Sequence, residues 1–316
     1  MNKTSDGRII DKRVVIDRTI LKKLILEIKE KKKLTWKEFA YSLGIVEHTL
    51  KHDWINKGNT IPQSIFKILL KMANKNTKSF EDIIKIREPF WGQKLNKNFK
   101  IIKLPSIKTK EFAEFYGIML GDGCITSNLK GFIITGDKIF ENDYYHKYLS
   151  NLIYGLFGNR PKIIESQNER VIRAIFYSKK ACKFIEEKGF PKGLKSSGKL
   201  EIPKFIAKDK FLLSYCIRGI MDTDGSLASH PHSKIMIHLS IPNKDLRSSV
   251  LEGLRKLDIE PGEFSKGIML YGSNKIADFK RKIGFSNYKN ILKYNKFIET
   301  GKVPNFQETE MFLRGK

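Results

Sequence analysis

Apolar residues recur at helical spacing over residues 17–75. In "RTILKKLILEIKEKK", Ile20, Leu24 and Ile28 lie four apart, which predicts one amphipathic stripe. In "LTWKEFAYSLGIVEHTLKHDWINKG", Phe39, Ala40 and Leu43 are the inward positions of a second helix. Thr35 followed three residues later by Glu38 marks its start as a capping box, and Gly44 marks its end. Val46–Lys57 is then expected to be a third helix, with "IPQSIFKILLKMAN" packing behind it. Residues 1–86 thus read as an all-α domain, and residues 87–108, mixing Pro, Gly, Asn and Lys, as a linker.

From Glu111 the pattern repeats itself. The helix "FYGIMLGDG", residues 115–123, leads into short alternating segments, "CITSN" and "GFIITGD". The long helix "NDYYHKYLSNLIYGLFG" follows, then the strands "RPKIIES" and "VIRAIFYS", then the helix "KKACKFIEEKGF". The same order returns after "IRGIMDTDG", residues 217–225: "SLASH", "KIMIHLSI", "DLRSSVLEGLRKLDI", "GEFSKG", "IMLYGS" and "KIADFKRKIGF". Each unit is αββαββα, giving an α+β fold of two similar halves, 109–207 and 208–316. Tyr177 matches Tyr271, and "KGF" at 188–190 matches "IGF" at 283–285.

Both repeats open with a helix that ends in an acid, Asp122 and Asp224. A carboxylate at a helix C-terminus faces the negative end of the dipole and is misplaced by roughly 0.3–1 kcal/mol. Gly117 and Gly121 share one helix face, and Gly219 and Thr223 repeat that small-residue spacing, so the two helices can pack backbone to backbone. Their ends then bring Asp122 and Asp224 together. Two carboxylates ~4 Å apart repel by about 4 kcal/mol at an effective dielectric of about 20. Stability offers no reason for the pairing, but Mg²⁺ or Mn²⁺, which take hard oxygen ligands, does. Gly123 and Gly225 are expected to close the helices as left-handed caps.

The 316-residue chain is 41% hydrophobic, enough for real cores, and carries 60 Lys and Arg against 34 Asp and Glu. The net charge of +26 points to a polyanionic partner, and with a divalent-ion site to metal-assisted phosphodiester hydrolysis. Three scattered cysteines, Cys124, Cys182 and Cys216, do not form a disulfide framework and fit a reducing cytoplasm. The N-terminus lacks the apolar core of a secretory signal, and no apolar run is long enough to span a membrane, so no membrane partner is expected.

"FYGIMLGDG" and "IRGIMDTDG" resemble the two motif copies of the LAGLIDADG family, dodecapeptide subclass, over about residues 105–300. The resemblance implies a monomeric homing endonuclease. Its motif helices form the interface between halves, Asp122 and Asp224 bind Mg²⁺, and two saddle-like sheets straddle a long asymmetric DNA site. Cleavage of both strands leaves short 3′ overhangs. It also implies a lysine near each metal, for which Lys195 and Lys289 stand at matching offsets after Phe190 and Phe285; Lys199 competes with Lys195. The first motif acid is Asp222 in copy two but Leu120 in copy one, a departure from the family pattern.

Strand alternation names the residues that would face DNA. They are Thr126, Asn128, Thr135, Arg173 and Tyr177 in the first half, and His230, Lys234, Met236, His238 and Ser240 in the second. His230, His232 and His238 have no cysteine or fourth ligand that would make a zinc site. Residues 35–57 resemble a repressor-type helix-turn-helix, with Glu47, His48, Lys51 and His52 at the start of the reading helix.

The expected protein is therefore an intron-encoded, free-standing nuclease associated with the nucleoid. Met1 and the ending "MFLRGK" do not match an intein's splice junctions. The alternatives are a catalytically inactive DNA-binding regulator on the same scaffold, or a maturase whose partner is intron RNA.

Overall fold

Residues 11–87, 102–193, 195 and 199–315 are described by the computed structural model, and they divide at Ile102 into two units. In the N-terminal unit, β1 (Arg13–Ile16) runs directly into α1 (Arg18–Lys31). The Asp17 carboxylate caps α1 by accepting from the Thr19 and Ile20 amides. The helix α2 (Trp36–Ser42) begins at the expected capping box, with the Thr35 amide donating to Glu38 at 2.8 Å and the Glu38 amide to Thr35 Oγ1 at 3.3 Å. Gly44 makes the turn at φ +66°, a conformation that costs glycine little. A wide helical segment, Thr49–Asn56, follows, and then β2 (Ile61–Pro62), α3 (Gln63–Met72) and β3 (Ile84–Arg87).

Two expectations for this unit need correction. It is not all-α: its strands form an antiparallel sheet in the order β2-β1-β3. The cause is the unbroken run Val14-Val15-Ile16, whose β-branched side chains are stiff in a helix and are all buried here. The third helix is not a regular α-helix over Val46–Lys57 either, because Thr49–Asn56 has a π-type winding. The linker over 87–108 falls largely outside the described residues.

In the C-terminal unit, α4 (Lys110–Asp122) is capped by Thr109 and passes into β4 (Gly123–Ile125) and β5 (Phe132–Asp137). A π-type turn, Tyr144–Leu149, continues into α5 (Ser150–Phe157), followed by β6 (Lys162–Glu165), β7 (Val171–Phe176) and α6 (Lys179–Glu187). The short α7 (Lys204–Ala207) leads to α8 (Lys210–Asp224), capped by Asp209. Next come β8 (Gly225–His230), β9 (Lys234–Ser240), α9 (Lys244–Lys256), β10 (Gly262–Phe264), β11 (Gly267–Tyr271) and α10 (Ser273–Lys282). Two helices beyond the repeat, α11 (Tyr288–Thr300) and α12 (Phe306–Arg314), complete the unit.

The two four-stranded antiparallel sheets share one strand order, β4-β5-β7-β6 and β8-β9-β11-β10. Each keeps the predicted alternation. Ile235, Ile237 and Leu239 are fully buried, as are Ile172 and Ala174, while the residues between them point outward.

The expected left-handed caps are absent. Gly123 and Gly225 are extended (φ −85° and −105°), because each motif helix turns straight into a strand. Glycine is needed there for space. A Cβ on Gly123 would lie 2.6 Å from Met119 Cα, and one on Gly225 would overlap the Met221 carbonyl oxygen.

Candidate functional site

The motif helices α4 and α8 meet backbone to backbone, because four small residues remove what would separate them. A Cβ on Gly117 would overlap the Cys216 carbonyl oxygen. One on Gly219 would overlap the Glu114 carbonyl oxygen and lie 2.7 Å from the Ile118 amide nitrogen. At the C-terminal end of the seam, Gly121 faces Thr223, whose hydroxyl donates back to the Gly219 and Ile220 carbonyls of its own helix. The Asp224 carboxyl carbon is 3.4 Å from where a Gly121 Cβ would stand. The last residues of both motifs therefore converge.

Convergence and burial shape the electrostatics. Burial, then Asp224, then Glu141 push the Asp122 carboxyl up to about 7, against the pull of Lys289 and Lys195. Burial pushes Asp224 up to about 6 against the same two lysines. Lys195 Nζ donates to the Leu120 carbonyl at 2.9 Å and to the Gly121 carbonyl, so it occupies the negative end of the α4 dipole. Burial lowers its pKa further than Asp224 and Asp122 raise it. Lys199, the competing lysine, is exposed and paired with Glu201 at 2.8 Å. Lys289 is largely buried and ion-paired with Glu141 at 2.5 Å. Burial lowers its pKa, but the Glu141 carboxylate outweighs that and holds the group protonated.

Several residues of this cluster carry no mark in the sequence. Glu141, 4% exposed, accepts from Lys289, from Asn287 Nδ2 at 2.8 Å and from the Asp137 amide at 2.9 Å. Lys293 donates to Ser226 Oγ at 3.3 Å and the Leu227 carbonyl at 3.1 Å. Burial and the nearby Lys289 lower its pKa. Glu114 is buried too; it takes Arg218, Tyr148 Oη at 2.7 Å and Ser286 Oγ at 2.7 Å. The departure at the first motif acid has a structural reason. Asp222 is fully buried, accepts from the Ser286 amide at 2.7 Å and so tethers the segment after α10; Leu120 at the matching position is simply core.

On the open face of the first sheet, Thr135 pairs with Arg173 across β5 and β7. Arg173 lies 4.0 Å from Glu169. Tyr177 stands exposed just past β7. Thr126 and Asn128 lie in the turn after β4 rather than in a strand, and they bond to each other at 3.0 Å and to the turn backbone. On the second sheet, His238 lies between Ser226 and Met269 and stacks on Phe264 at 4.9 Å. Met236 lies between Ala228 and Tyr271 on the same face, and Ser240 is exposed. His230 and Lys234 close the β8–β9 hairpin, with Lys234 at φ +64° and His230 against Tyr271. In the N-terminal unit, exposed Lys51 pairs with Glu47 at 3.2 Å, and the His52 ring lies against His48.

No family model matches the chain, and no curated protein sequence does. Among solved structures, a mesophilic variant of the homing endonuclease I-DmoI is 14% identical, covering 55% of this chain and 95% of its own, with a TM-score of 0.40. I-DmoI in complex with DNA and Mn is 13% identical, covering 56% of this chain and 97% of its own, at 0.41. Full-length DUF199/WhiA from Thermatoga maritima is 15% identical, covering 66% of this chain and 68% of its own, at 0.41.

Proposed function

We propose that the chain is a metal-dependent, site-specific DNA endonuclease of the LAGLIDADG homing type. The observation that carries this is the convergence of Asp122 and Asp224 at the ends of two helices in backbone contact. Burial pushes their carboxyls up to about 7 and about 6 even with Lys195 and Lys289 beside them, so the charged pair is costly without a cation between the acids. Hard oxygen donors in such a place fit Mg²⁺ or Mn²⁺. When bound, such an ion would supply charge neutralisation at the scissile phosphate and an activated water.

The chain's own residues do the rest. Asp122 and Asp224 would hold the ion. Lys195, anchored on the Leu120 and Gly121 carbonyls, and Lys289, held by Glu141, place positive charge beside the acids for a phosphate's developing charge. Arg173, Lys234, His238 and their neighbours on the open sheet faces would contact the groove, each sheet belonging to one pseudo-symmetric half. The net charge of +26 supports the phosphate contacts.

Asp122→Asn and Asp224→Asn test this reading. Each is expected to abolish Mg²⁺-dependent double-strand cleavage of a target selected from a randomised library, while leaving target binding intact. Cleavage at the wild-type rate by either variant would sink the assignment. Sequence-specific binding with no cleavage by the wild-type chain would favour the inactive regulator instead.

A further inference from the structure

One side-chain cluster in the N-terminal unit belongs neither to the core nor to the acid pair. His48, His52 and Asp53 bring two imidazoles and a carboxylate together, with ligand atoms all within 4.8 Å of one another. The imidazole rings are 4.5 Å apart, tilted by 34°. His52 Nδ1 lies 3.7 Å from Asp53 Oδ1, too far for a hydrogen bond. That nitrogen is nonetheless shielded from solvent and has no hydrogen-bond partner. A shielded, unpartnered imidazole nitrogen facing a carboxylate oxygen is an open ligand position.

The backbone is wound to produce this arrangement. In an α-helix of about 3.6 residues per turn, residue i+5 lies roughly 140° around from residue i. Thr49–Asn56 is wider, with the Lys57 amide donating to the His52 carbonyl at 2.9 Å, an i→i+5 bond. The wider turn places both His52 and Asp53 beside His48. Such turns are rare and frequently occur at functional sites. The core does not require the three polar groups, since Leu50, Trp54 and Ile55 supply the buried face of the same segment. The neighbouring cation, Lys51, is engaged by Glu47.

We propose that His48, His52 and Asp53 form a binding site for one borderline divalent ion of the Zn²⁺, Co²⁺ or Ni²⁺ kind. Imidazole nitrogens select these ions over Mg²⁺, which takes oxygen ligands. Three protein ligands leave a further position for water. The site is chemically separate from Asp122 and Asp224 and stands whether or not the chain is a nuclease.

Titrating Co²⁺ into the full-length protein, read by visible absorption and calorimetry, tests the proposal. With the acid pair removed in the Asp122→Asn/Asp224→Asn double variant, or filled by excess Mg²⁺ in the wild type, saturable binding of one equivalent of Co²⁺ is expected, and the histidine variants are compared under the same excess of Mg²⁺. His48→Gln and His52→Gln should each weaken it by more than roughly tenfold, the effect that follows even from removing an outer-sphere partner. Asp53→Asn should weaken it less. The metal-free circular dichroism of all three variants should match the wild type. No saturable Co²⁺ binding, or binding that survives both histidine variants, would overturn the proposal.

Discussion

Three buried aspartates titrate far from their ordinary range: Asp122 and Asp222 at about 7 and Asp224 at about 6. Burial is the first cause for each. An acid whose folded pKa is raised keeps a proton that the unfolded chain has already released. Between roughly pH 4 and 7 the folded state therefore binds more protons, and stability falls as pH rises. The metal-free protein is expected to melt at lower temperature at pH 8 than at pH 5, by on the order of 5 °C. Asp122→Asn should flatten that dependence, and Mg²⁺ at pH 8 should restore more stability to the wild type than to the variant. Equal pH slopes in the two proteins would refute the linkage. Asp122 and Asp224 are legible in the sequence because an acid at a helix end contradicts the dipole twice. Lys195 and Lys289 follow from the family resemblance, and the structure puts Lys195, not Lys199, at the acids. Glu141 is not legible, because its partner Lys289 lies 148 residues away and nothing local distinguishes it from a surface glutamate.

At the scale of elements, the α4–α8 seam depends on the absence of side chains. Gly→Ala within a helix normally gains up to about 1 kcal/mol from propensity. At Gly117 the new Cβ would overlap the Cys216 carbonyl oxygen, which is backbone and cannot move aside. Gly117→Ala is therefore expected to cost roughly 3 kcal/mol or more, as overpacking does when nothing can relax. Gly155, in α5, supplies the control: a Cβ there meets nothing within 4 Å. Gly155→Ala should stabilise by about 0.5–1 kcal/mol. Urea midpoints at constant slope measure both, and a stabilised Gly117→Ala would mean that the helices do not touch. The repeated strands and motif helices are readable because period 2 and period 3.6 are strong signals. The strand β1 is not, since a run of three β-branched residues, Val14-Val15-Ile16, against a helix start has no period of its own. The π-type turns are hidden for a related reason: a helix widened by one residue per turn keeps a helical pattern of apolar positions.

The two units, divided at Ile102, each carry their own core, and this allows a test on the whole molecule. The capped α2, the Gly44 turn and exposed Lys51 are consistent with a DNA-reading role for the N-terminal unit, though its three-stranded sheet departs from a purely helical reader. Each phosphate neutralised by the protein displaces counterions and steepens the slope of log K against log salt by about 0.9. A chain beginning at Lys103 retains the acids, both lysines and both four-stranded sheets. It is expected to fold and to cleave the same target. It should also bind more weakly, with a shallower salt slope and a shorter footprint than the full-length protein. Footprinting and binding isotherms across a salt series measure this directly. If footprint and slope survive the truncation unchanged, the N-terminal unit touches no phosphate and its helix-turn-helix reading fails. If the shortened chain folds but no longer cleaves, the catalytic assembly requires the N-terminal unit, and the assignment of chemistry to residues 103–316 alone fails.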